Sequence, residues 1–561
     1  MKFIALKLTE DPDISNVPNL KCLVLQNCIN LRRIHPSIGI HKELTILNLR
    51  GCNNLTSLPS KFEIKCLTDL NLSECSKLTE IPGFGRNMKS VRNLYLGSTA
   101  ITTLPPSIEH LTALVELYVN GCKNLVHLPD TIFNLKLVRK VSFQFCSKLD
   151  RLPENLGDAE SLEELDLWET AIREVPSSIG RLKHLHRLVL TECKGLSSNK
   201  SWYEHLPFYS MPTSPHPIDL LFSSLSLAPA PSLTRLLLCH CNLKAIPNDI
   251  GSLISLEWLA LDGNDFVCLP ESIIKLSKLK WMNLNYCTSL RSLPKLPLNV
   301  ELVEAEGCIS LEMLPDPLKE SDSLEPPSLY LHNCSKLADN QSCINRFISG
   351  IEKSFKLSPS LPLSVLKKEY NIVIPGSEIP EGFSPQSMEN EVKIELHSHL
   401  CKNVGFAICF VSCTFGILTC SLIANGKRIS IGYHESIEYV SSDHLWLVYV
   451  TPQFFDEESN KLLWEGDMNG FSQIRIKIES DDFDVKKWGF RIIYKVKRSH
   501  DDYNGAGPSG EGSSNDIPNP KRIKRHTEAH GKSDCEESSE YKDCDEELSD
   551  WDESNDSNPD A

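Results

Sequence analysis

Residues 44–55 read LTILNLRGCNNL, and this stretch decides the fold. Leucines stand at positions 44, 47, 49 and 55, and Cys52 follows the third leucine by three residues. The pattern, with leucine or valine at its start, recurs at steps of 23 or 24 residues, apart from one step of 48. Its copies begin at Leu20, Leu44, Leu67, Val91, Leu114, Val138, Leu162, Leu185, Leu233, Leu256 and Leu279. Such regularity predicts one structural unit repeated along the chain.

Each copy predicts a short strand whose leucines point into a coil that cannot bury them alone, so neighbouring coils must stack. After the strand a proline recurs, which ends the extended segment and starts a tight, partly helical return on the convex side. These prolines are Pro59, Pro105, Pro129, Pro153, Pro176, Pro247 and Pro270. Period and pattern predict an α/β leucine-rich-repeat solenoid, a horseshoe of about 13 to 15 coils, over residues 1–345. The 48-residue step, near 199–232, predicts a degenerate repeat or a loop insertion.

Ten cysteines share the repeat position just after the strand. They are Cys28, Cys52, Cys75, Cys122, Cys146, Cys193, Cys241, Cys287, Cys308 and Cys334. Thr99, Thr170 and Asn264 take that position in other coils, and thiol, hydroxyl and amide can all form hydrogen bonds. The position therefore predicts a side chain that caps backbone groups of the next coil. The competing interpretation is a metal or redox cluster, but the spacing is that of the repeat, so we predict no metal site.

The region after the repeats alternates apolar and polar residues in eight stretches separated by short turns. The stretches are 371–375, 391–396, 404–413, 418–424, 428–433, 444–450, 472–479 and 488–497. Eight such strands predict an all-β antiparallel sandwich over residues 370–498, reached through a connector at 346–369.

The formal net charge of −16 is concentrated at the end of the chain. Residues 499–561 hold 18 acidic and 6 basic side chains, a net of −12, which leaves −4 for the first 498 residues. This balance excludes a strongly basic nucleic-acid-binding body and predicts a disordered acidic tail. Within the tail, residues 520–526 form a basic cluster. It is either a nuclear import signal or a solvated charge run, and its cations are Lys521, Arg522, Lys524 and Arg525.

Signatures of catalysis and cofactor binding are missing from the sequence. No G-x-x-x-x-G-K-[ST], H-E-x-x-H or G-x-S-x-G motif occurs. Residues 505–510 match G-x-G-x-x-G, but they lie in a Gly/Ser-rich stretch without the strand and helix that a dinucleotide site needs. We therefore expect no cofactor and no enzymatic activity. The absence of 18 consecutive apolar residues argues against a membrane span, and 21 cysteines without an export signal favour reduced thiols inside the cell.

Outward positions flank the buried leucines and place aromatic and polar side chains on or near the concave face. The predicted partner-binding residues are Tyr95, Tyr118, Trp168, Arg187, Trp258, Trp281, Asn283 and Tyr286. Exposed aromatic rings with arginine are typical of protein interfaces. The alternative is that some of these rings pack on neighbouring coils and stabilise the solenoid.

Two stretches resemble a known family. The cysteine-bearing coils with Leu-Pro-x-x-Ile-Gly-x-Leu, as at 178–182 and 249–253, resemble the repeats of plant intracellular immune receptors of the TIR-type nucleotide-binding leucine-rich-repeat class. Residues 371–383, NIVIPGSEIPEGF, resemble the opening of the jelly-roll/Ig-like domain, named C-JID, that follows those repeats. Gly382 stands where the family commonly has tryptophan, and Pro385 stands where it has histidine.

The resemblance implies a recognition module of plant innate immunity, located in the cytoplasm or the nucleus. Its expected partner is a pathogen effector or a guarded host protein, with a full-length immune receptor chain as a further candidate, and without nucleic acid or membrane. The TIR and nucleotide-binding domains of the family are not found in this sequence, so their activities are not carried over. Two alternatives stay open: a general interaction scaffold with an endogenous partner, and the sensing half of a longer TIR-type receptor.

Overall fold

The computed structural model describes most of the repeat region and the strands that follow it. The described residues are 2–4, 13–197, 216–226, 232–315, 327–357, 369–387, 391–397, 404–413, 416–424, 427–436, 442–450, 471–481 and 485–494. The contacts of the chain divide it into Met1–Asp501 and Asp502–Ala561, and the described residues belong to the first unit. The predicted tail with its basic cluster, and much of the predicted 199–232 insertion, lie outside the described residues.

In the described residues, fourteen parallel strands of three residues, β1 to β14, form the inner sheet of the solenoid. They are Lys2–Ile4, Cys22–Val24, Ile46–Asn48, Asp69–Asn71, Asn93–Tyr95, Glu116–Tyr118, Lys140–Ser142, Glu164–Asp166, Arg187–Val189, Arg235–Leu237, Trp258–Ala260, Trp281–Asn283, Leu302–Glu304 and Ser328–Tyr330. Each strand pairs in register with the next, as Leu70 does with Leu94. From β2 onward the middle residue is buried. Because side chains alternate along a strand, the first and third residues face the concave side.

Across the 48-residue step, the described part of the inner sheet continues without an additional strand. β9 pairs directly with β10, Leu188 opposite Leu236. Helix α2, Pro217–Ser226, buries Leu221 and Phe222 in the solenoid core. It contacts the return segments on either side, so it covers the convex side of this longer coil.

The return segments are mostly single 3₁₀ turns, as expected for Leu-Pro-x-x-Ile sequences. Besides the one-turn helix α1, Pro36–Gly39, they are Pro106–His110, Asp130–Asn134, Glu154–Asp158, Ser177–Arg181, Lys194–Ser197, Asn248–Ser252 and Glu271–Lys275. Six of the seven predicted prolines directly precede such a turn. The prediction is wrong at Pro59. Phe62, where the helical coils carry isoleucine or leucine, forms an extended bridge to Phe84 and fills the core from there.

The repeated cysteines form a buried hydrogen-bonded column. Sγ of Cys52 donates to the carbonyl oxygen of Leu25 at 3.1 Å, and Sγ of Cys146 donates to that of Val119 at 3.1 Å. The acceptor belongs to the preceding coil, so the expectation of a bond to the next coil was wrong in direction. Asn264 also bonds to the preceding coil: Nδ2 donates to the carbonyl of Leu238 at 2.8 Å, and Oδ1 accepts from the backbone N–H of Cys241. The described cysteines are free thiols.

Two antiparallel sheets form the sandwich. Its strands, β15 to β23, are Glu369–Pro375, Ser384–Ser387, Glu391–His397, Val404–Ser412, Gly416–Ala424, Lys427–Ser436, His444–Val450, Phe471–Asp481 and Val485–Tyr494. One sheet has the order β15-β21-β18-β23-β16, and the other has the order β17-β22-β19-β20. All eight predicted strands are confirmed. β16 was not predicted because it holds Pro385 and no apolar alternation.

The solenoid sheet continues into the sandwich. β14 pairs in parallel with β15, Leu329 opposite Ile372. Short helix α3, Ser335–Ala338, and helix α4, Gln341–Leu357, come between them in sequence. Buried residues of α4 recur at helical spacing: Ile344, Phe347, Ile348 and Ile351.

The first sheet of the sandwich is buried on both faces. In β18, Ala407, Cys409 and Val411 join the solenoid core, and Phe406, Ile408 and Phe410 line the core between the two sheets. The period of two along a strand separates these sets. The solenoid and the sandwich therefore share one hydrophobic core.

Candidate interaction surface

The concave face presents its side chains in rows that run from coil to coil. We number the rows by position from the start of each strand: the first and third rows are strand residues, and the fifth and sixth follow the strand. Arg187, Trp258 and Trp281 lie in the first row, and Trp168 lies in the fifth. The remaining predicted residues lie in the third row, Tyr95, Tyr118 and Asn283, and in the sixth, Tyr286. The predicted set is therefore spread over the face and does not form one patch.

The structure brings the aromatic rings together in pairs from neighbouring coils. The rings of Tyr95 and Tyr118 are stacked, with centroids 5.5 Å apart and planes at 3°. The centroids of Trp258 and Trp281 are 4.3 Å apart. The ring centroid of Trp168 lies 4.8 Å from that of Phe145, in the sixth row of the preceding coil. The rings pack between coils, as the second interpretation expects. Trp258 keeps 40% of its surface exposed, and binding of a partner there stays a prediction.

The sixth row is held in the left-handed backbone region. Phe145 has φ 60° and Tyr286 has φ 57°, backbone angles that residues other than glycine adopt at a cost in conformational energy. Hydrogen bonds to the next coil hold them there, from the N–H of Tyr286 to the carbonyl of Glu306 at 2.6 Å, for example. Gly307 makes room for the ring, since a Cβ there would lie 2.7 Å from Cδ1 of Tyr286. The ring of Tyr286 is thereby fixed at the rim, 44% exposed.

In the middle coils the concave charges neutralise one another. Nζ of Lys140 lies 2.9 Å from Oε1 of Glu164, and Nη1 of Arg187 lies 3.3 Å from Oδ2 of Asp166. Asp166 is almost fully buried, and Nε2 of Gln144 donates to its Oδ2 at 2.7 Å. Arg187, predicted to bind a partner, is thus already engaged within the chain.

The later coils carry carboxylates that the sequence analysis did not single out. Glu304 is half-buried in the third row. Partial burial and the nearby Asp262 raise the pKa of Glu304, and a hydrogen bond from Trp281 opposes this shift. Within the described residues no lysine or arginine forms an ion pair with Glu304. Glu304 could have been predicted by extending the third row from Asn283 into the next coil, where the repeat pattern is weaker. The two residues lie opposite each other in neighbouring strands.

Contacts of aromatic and imidazole rings join the last coil to the sandwich. The ring of His332 lies 5.2 Å from that of Trp446, edge to face, and 5.9 Å from that of His444. The backbone N–H of Asn333 donates to Nε2 of His444 at 3.0 Å. The concave face and the sandwich therefore meet across a packed junction.

Two features are absent from the described residues. In it, no group of three or more His, Cys, Asp or Glu side chains is placed to hold a metal ion. Within the same residues, no helix reaches the length and apolar character that crossing a membrane requires. The predicted import cluster of Lys521, Arg522, Lys524 and Arg525 lies outside the described residues.

Comparison with known proteins shows which family this chain is similar to. The C-JID domain model matches residues 374–499. The disease resistance-like protein DSC1 of Arabidopsis thaliana is 32% identical over 436 residues, covering 71% of this chain and 33% of that protein. The TMV resistance protein N of Nicotiana glutinosa is 30% identical over 420 residues, covering 72% of this chain and 34% of that protein.

Among solved structures, the Leptospira interrogans leucine-rich-repeat protein LIC12759 is 21% identical, with a TM-score of 0.32 over 52% of this chain and 79% of that one. The chain spans about a third of the length of the two plant relatives. Residues 374–499 are a C-JID domain behind a leucine-rich-repeat solenoid, and the homologues of this pair are plant TIR-type nucleotide-binding leucine-rich-repeat disease resistance proteins.

Proposed function

We propose that the chain is a recognition module of plant innate immunity. In this proposal the concave face and the C-JID domain together bind a pathogen effector or a guarded host protein. The observation that carries the proposal is the set of exposed aromatic rings on the concave face, Trp168, Trp258 and Tyr286 among them. Exposed tryptophan and tyrosine are the side chains that most often dominate binding energy at protein interfaces.

The dimensions of the surface support a protein partner. Fourteen strands about 4.8 Å apart give an inner sheet roughly 60 Å long. A stable interface needs about 800 Å² on each partner, which such a sheet can supply. The pairing of β14 with β15 leads this face into the sandwich, so one partner could contact both.

We infer binding and not catalysis as the activity of these regions. The concave carboxylates of the middle coils pair with Lys140 and Arg187 and do not face a nucleophile and a base. No cofactor is part of the proposal. The proposed location is the cytoplasm, with entry into the nucleus if the basic cluster works as an import signal.

Proximity labelling in plant leaf cells, with and without pathogen effectors, tests the proposal. The wild-type chain is compared with a variant carrying Trp168→Ala, Trp258→Ala and Trp281→Ala. The matched control replaces three exposed apolar side chains of the return segments, Leu137, Ile254 and Ile274, by alanine. Capture of an effector or a guarded host protein should be lost only in the tryptophan variant. Equal capture by all three chains would reject the concave face.

Two alternatives have their own tests. A scaffold for an endogenous partner would capture the same protein in uninfected and infected tissue. The sensing half of a longer TIR-type receptor is favoured by the length of the relatives, of which this chain covers about a third. Transcripts that continue upstream of the Met1 codon and encode a phosphate-binding loop would support that alternative.

A further inference from the structure

Two indoles and two carboxylates lie close together on the concave face of the later coils. Trp258 begins β11, Ala260 ends it with a buried short side chain, and Asp262 follows two residues later. Asn283 lies opposite Ala260 on β12, and Glu304 lies opposite Asn283 on β13. Two smaller side chains, Ala260 and Asn283, therefore lie beside the aromatic and acidic groups of this cluster.

The two indoles present aromatic surface in this cluster. Trp258 is 40% exposed, and Trp281 is tilted against it at 46°. The guanidinium carbon of Arg235 lies 5.5 Å from the ring centroid of Trp258. This chain thus already places one guanidinium against an indole of the cluster, which is the geometry of a cation–π contact.

The ion pairs of these carboxylates differ from those of the middle coils. There, Glu164 and Asp166 face Lys140 and Arg187 of the same chain. Here, the described residues place no lysine or arginine in an ion pair with Glu304. Nε2 of His240 lies 3.4 Å from Oδ2 of Asp262, and His240 is charged only when protonated. Cys239, another side chain beside Asp262, carries no positive charge. The two carboxylates therefore have negative charge that a partner can neutralise.

We propose that Trp258, Trp281, Asp262 and Glu304 form a receptor site for a basic side chain, arginine or lysine, presented by an exposed segment of a protein partner. This inference rests on the proposed function and adds the chemistry of the partner. A basic side chain stacks on the indoles through its planar or aliphatic part and reaches the carboxylates with its charge. An apolar side chain alone would cover Glu304 and remove water from its charge without compensation, which is costly.

Binding of labelled peptides to the full chain tests the site. The probe is a short fluorescein-labelled peptide with two arginines, and its partner probe carries citrulline, which has the same shape without the charge. Fluorescence anisotropy should give about tenfold weaker binding for the citrulline peptide. Added salt should weaken the arginine peptide only, since screening acts on charge.

Matched variants locate the binding on the protein. Trp258→Ala with Trp281→Ala, and separately Asp262→Asn with Glu304→Gln, should each weaken the arginine peptide about tenfold. The controls are Leu137→Ala, an exposed apolar side chain outside the concave face, and Glu169→Gln, an exposed carboxylate of the middle coils, and both should bind as wild type. The conservative amide variant keeps the test valid if the double alanine variant does not fold.

The outcomes separate this inference from the proposed function. Equal binding of both peptides, or unchanged binding by the amide variant, overturns the basic-side-chain site. If the basic-side-chain site is overturned in this way but effector capture is still lost in the tryptophan variant, the proposed function remains supported. A peptide site that behaves as expected without any immune partner in leaf cells overturns the proposed function instead.

Discussion

The backbone N–H of Asn333 donates a hydrogen bond of 3.0 Å to Nε2 of His444 and ties the last coil to the sandwich. Nδ1 of the same ring lies 2.7 Å from the carbonyl oxygen of Ser442. Both bonds form together only when Nδ1 carries the proton and Nε2 does not. Burial lowers the pKa of His444, and the Ser442 carbonyl and the Asp443 carboxylate oppose this shift only in part. The junction between solenoid and C-JID domain therefore requires a neutral imidazole.

Stability should fall as the pH drops below about 6.5, the ordinary pKa of histidine. Because the folded pKa of His444 is lowered, the unfolded chain binds the proton more readily. The contribution of this group is complete above that pH and is lost as the pH falls toward the lowered pKa. Urea unfolding at a series of pH values measures it. His444→Phe should cost about 1–3 kcal/mol at neutral pH, because the Asn333 N–H loses its acceptor. It should also flatten this pH dependence, and an unchanged pH slope in the variant would contradict the assignment.

The cysteine column should be unreactive in the folded chain. Burial raises the pKa of Cys75 and of Cys146 to about 12, so both are protonated thiols near neutral pH. Iodoacetamide attacks thiolates. Mass-spectrometric mapping should find the exposed Cys268 labelled in the folded protein and the column labelled only after unfolding. Rapid labelling of Cys146 without denaturant would mean that the coils open readily.

Arg187 should matter for stability more than for binding. Its partner Asp166 is 6% exposed, so Arg187→Gln leaves a buried carboxylate with less compensation. We expect a loss of about 1–2 kcal/mol in the free energy of unfolding. The matched control is Arg181→Gln, which breaks an exposed pair with Asp158 and should cost less than about 1 kcal/mol. Equal losses in the two variants would show that the buried pair has no special role.

The basic cluster should direct nuclear entry if it is an import signal. Replacing Lys521, Arg522, Lys524 and Arg525 by glutamine removes the four cations. The nuclear share of a fluorescent fusion should then fall in leaf cells. A control variant with four neutralised acidic residues of the tail should keep the wild-type distribution. If the basic variant also keeps it, the cluster is a solvated charge run.

The sequence predicts the solenoid well because every coil must bury the same pattern of apolar side chains. The leucines of each strand must point inward, so Leu70 and Leu94 occupy equivalent places without further information. Pro59 is the exception, because the segment after it is extended and does not form a 3₁₀ turn. Phe62 fills the core there, at the position where the helical coils carry isoleucine or leucine. The eight strands of the sandwich follow in the same way from alternation.

What the sequence does not predict are the contacts between elements. The parallel pairing of β14 with β15 joins segments separated by α3 and α4, and no local pattern signals it. The concave residues were predicted from their rows, but their pairing was not, as with Trp258 and Trp281. Glu304 was missed because its coil has lost the repeat pattern, although its register with Asn283 is intact.

The most direct test of the central claim is partner capture in leaf cells by three forms of the chain. These are the wild type, the variant with Trp168, Trp258 and Trp281 replaced by alanine, and the control with Leu137, Ile254 and Ile274 replaced by alanine. A recognition module that uses its concave face predicts an effector or guarded host protein captured by the wild type and the control, and lost from the tryptophan variant. Capture that is equal in all three forms would contradict this account and place the binding site elsewhere on the chain.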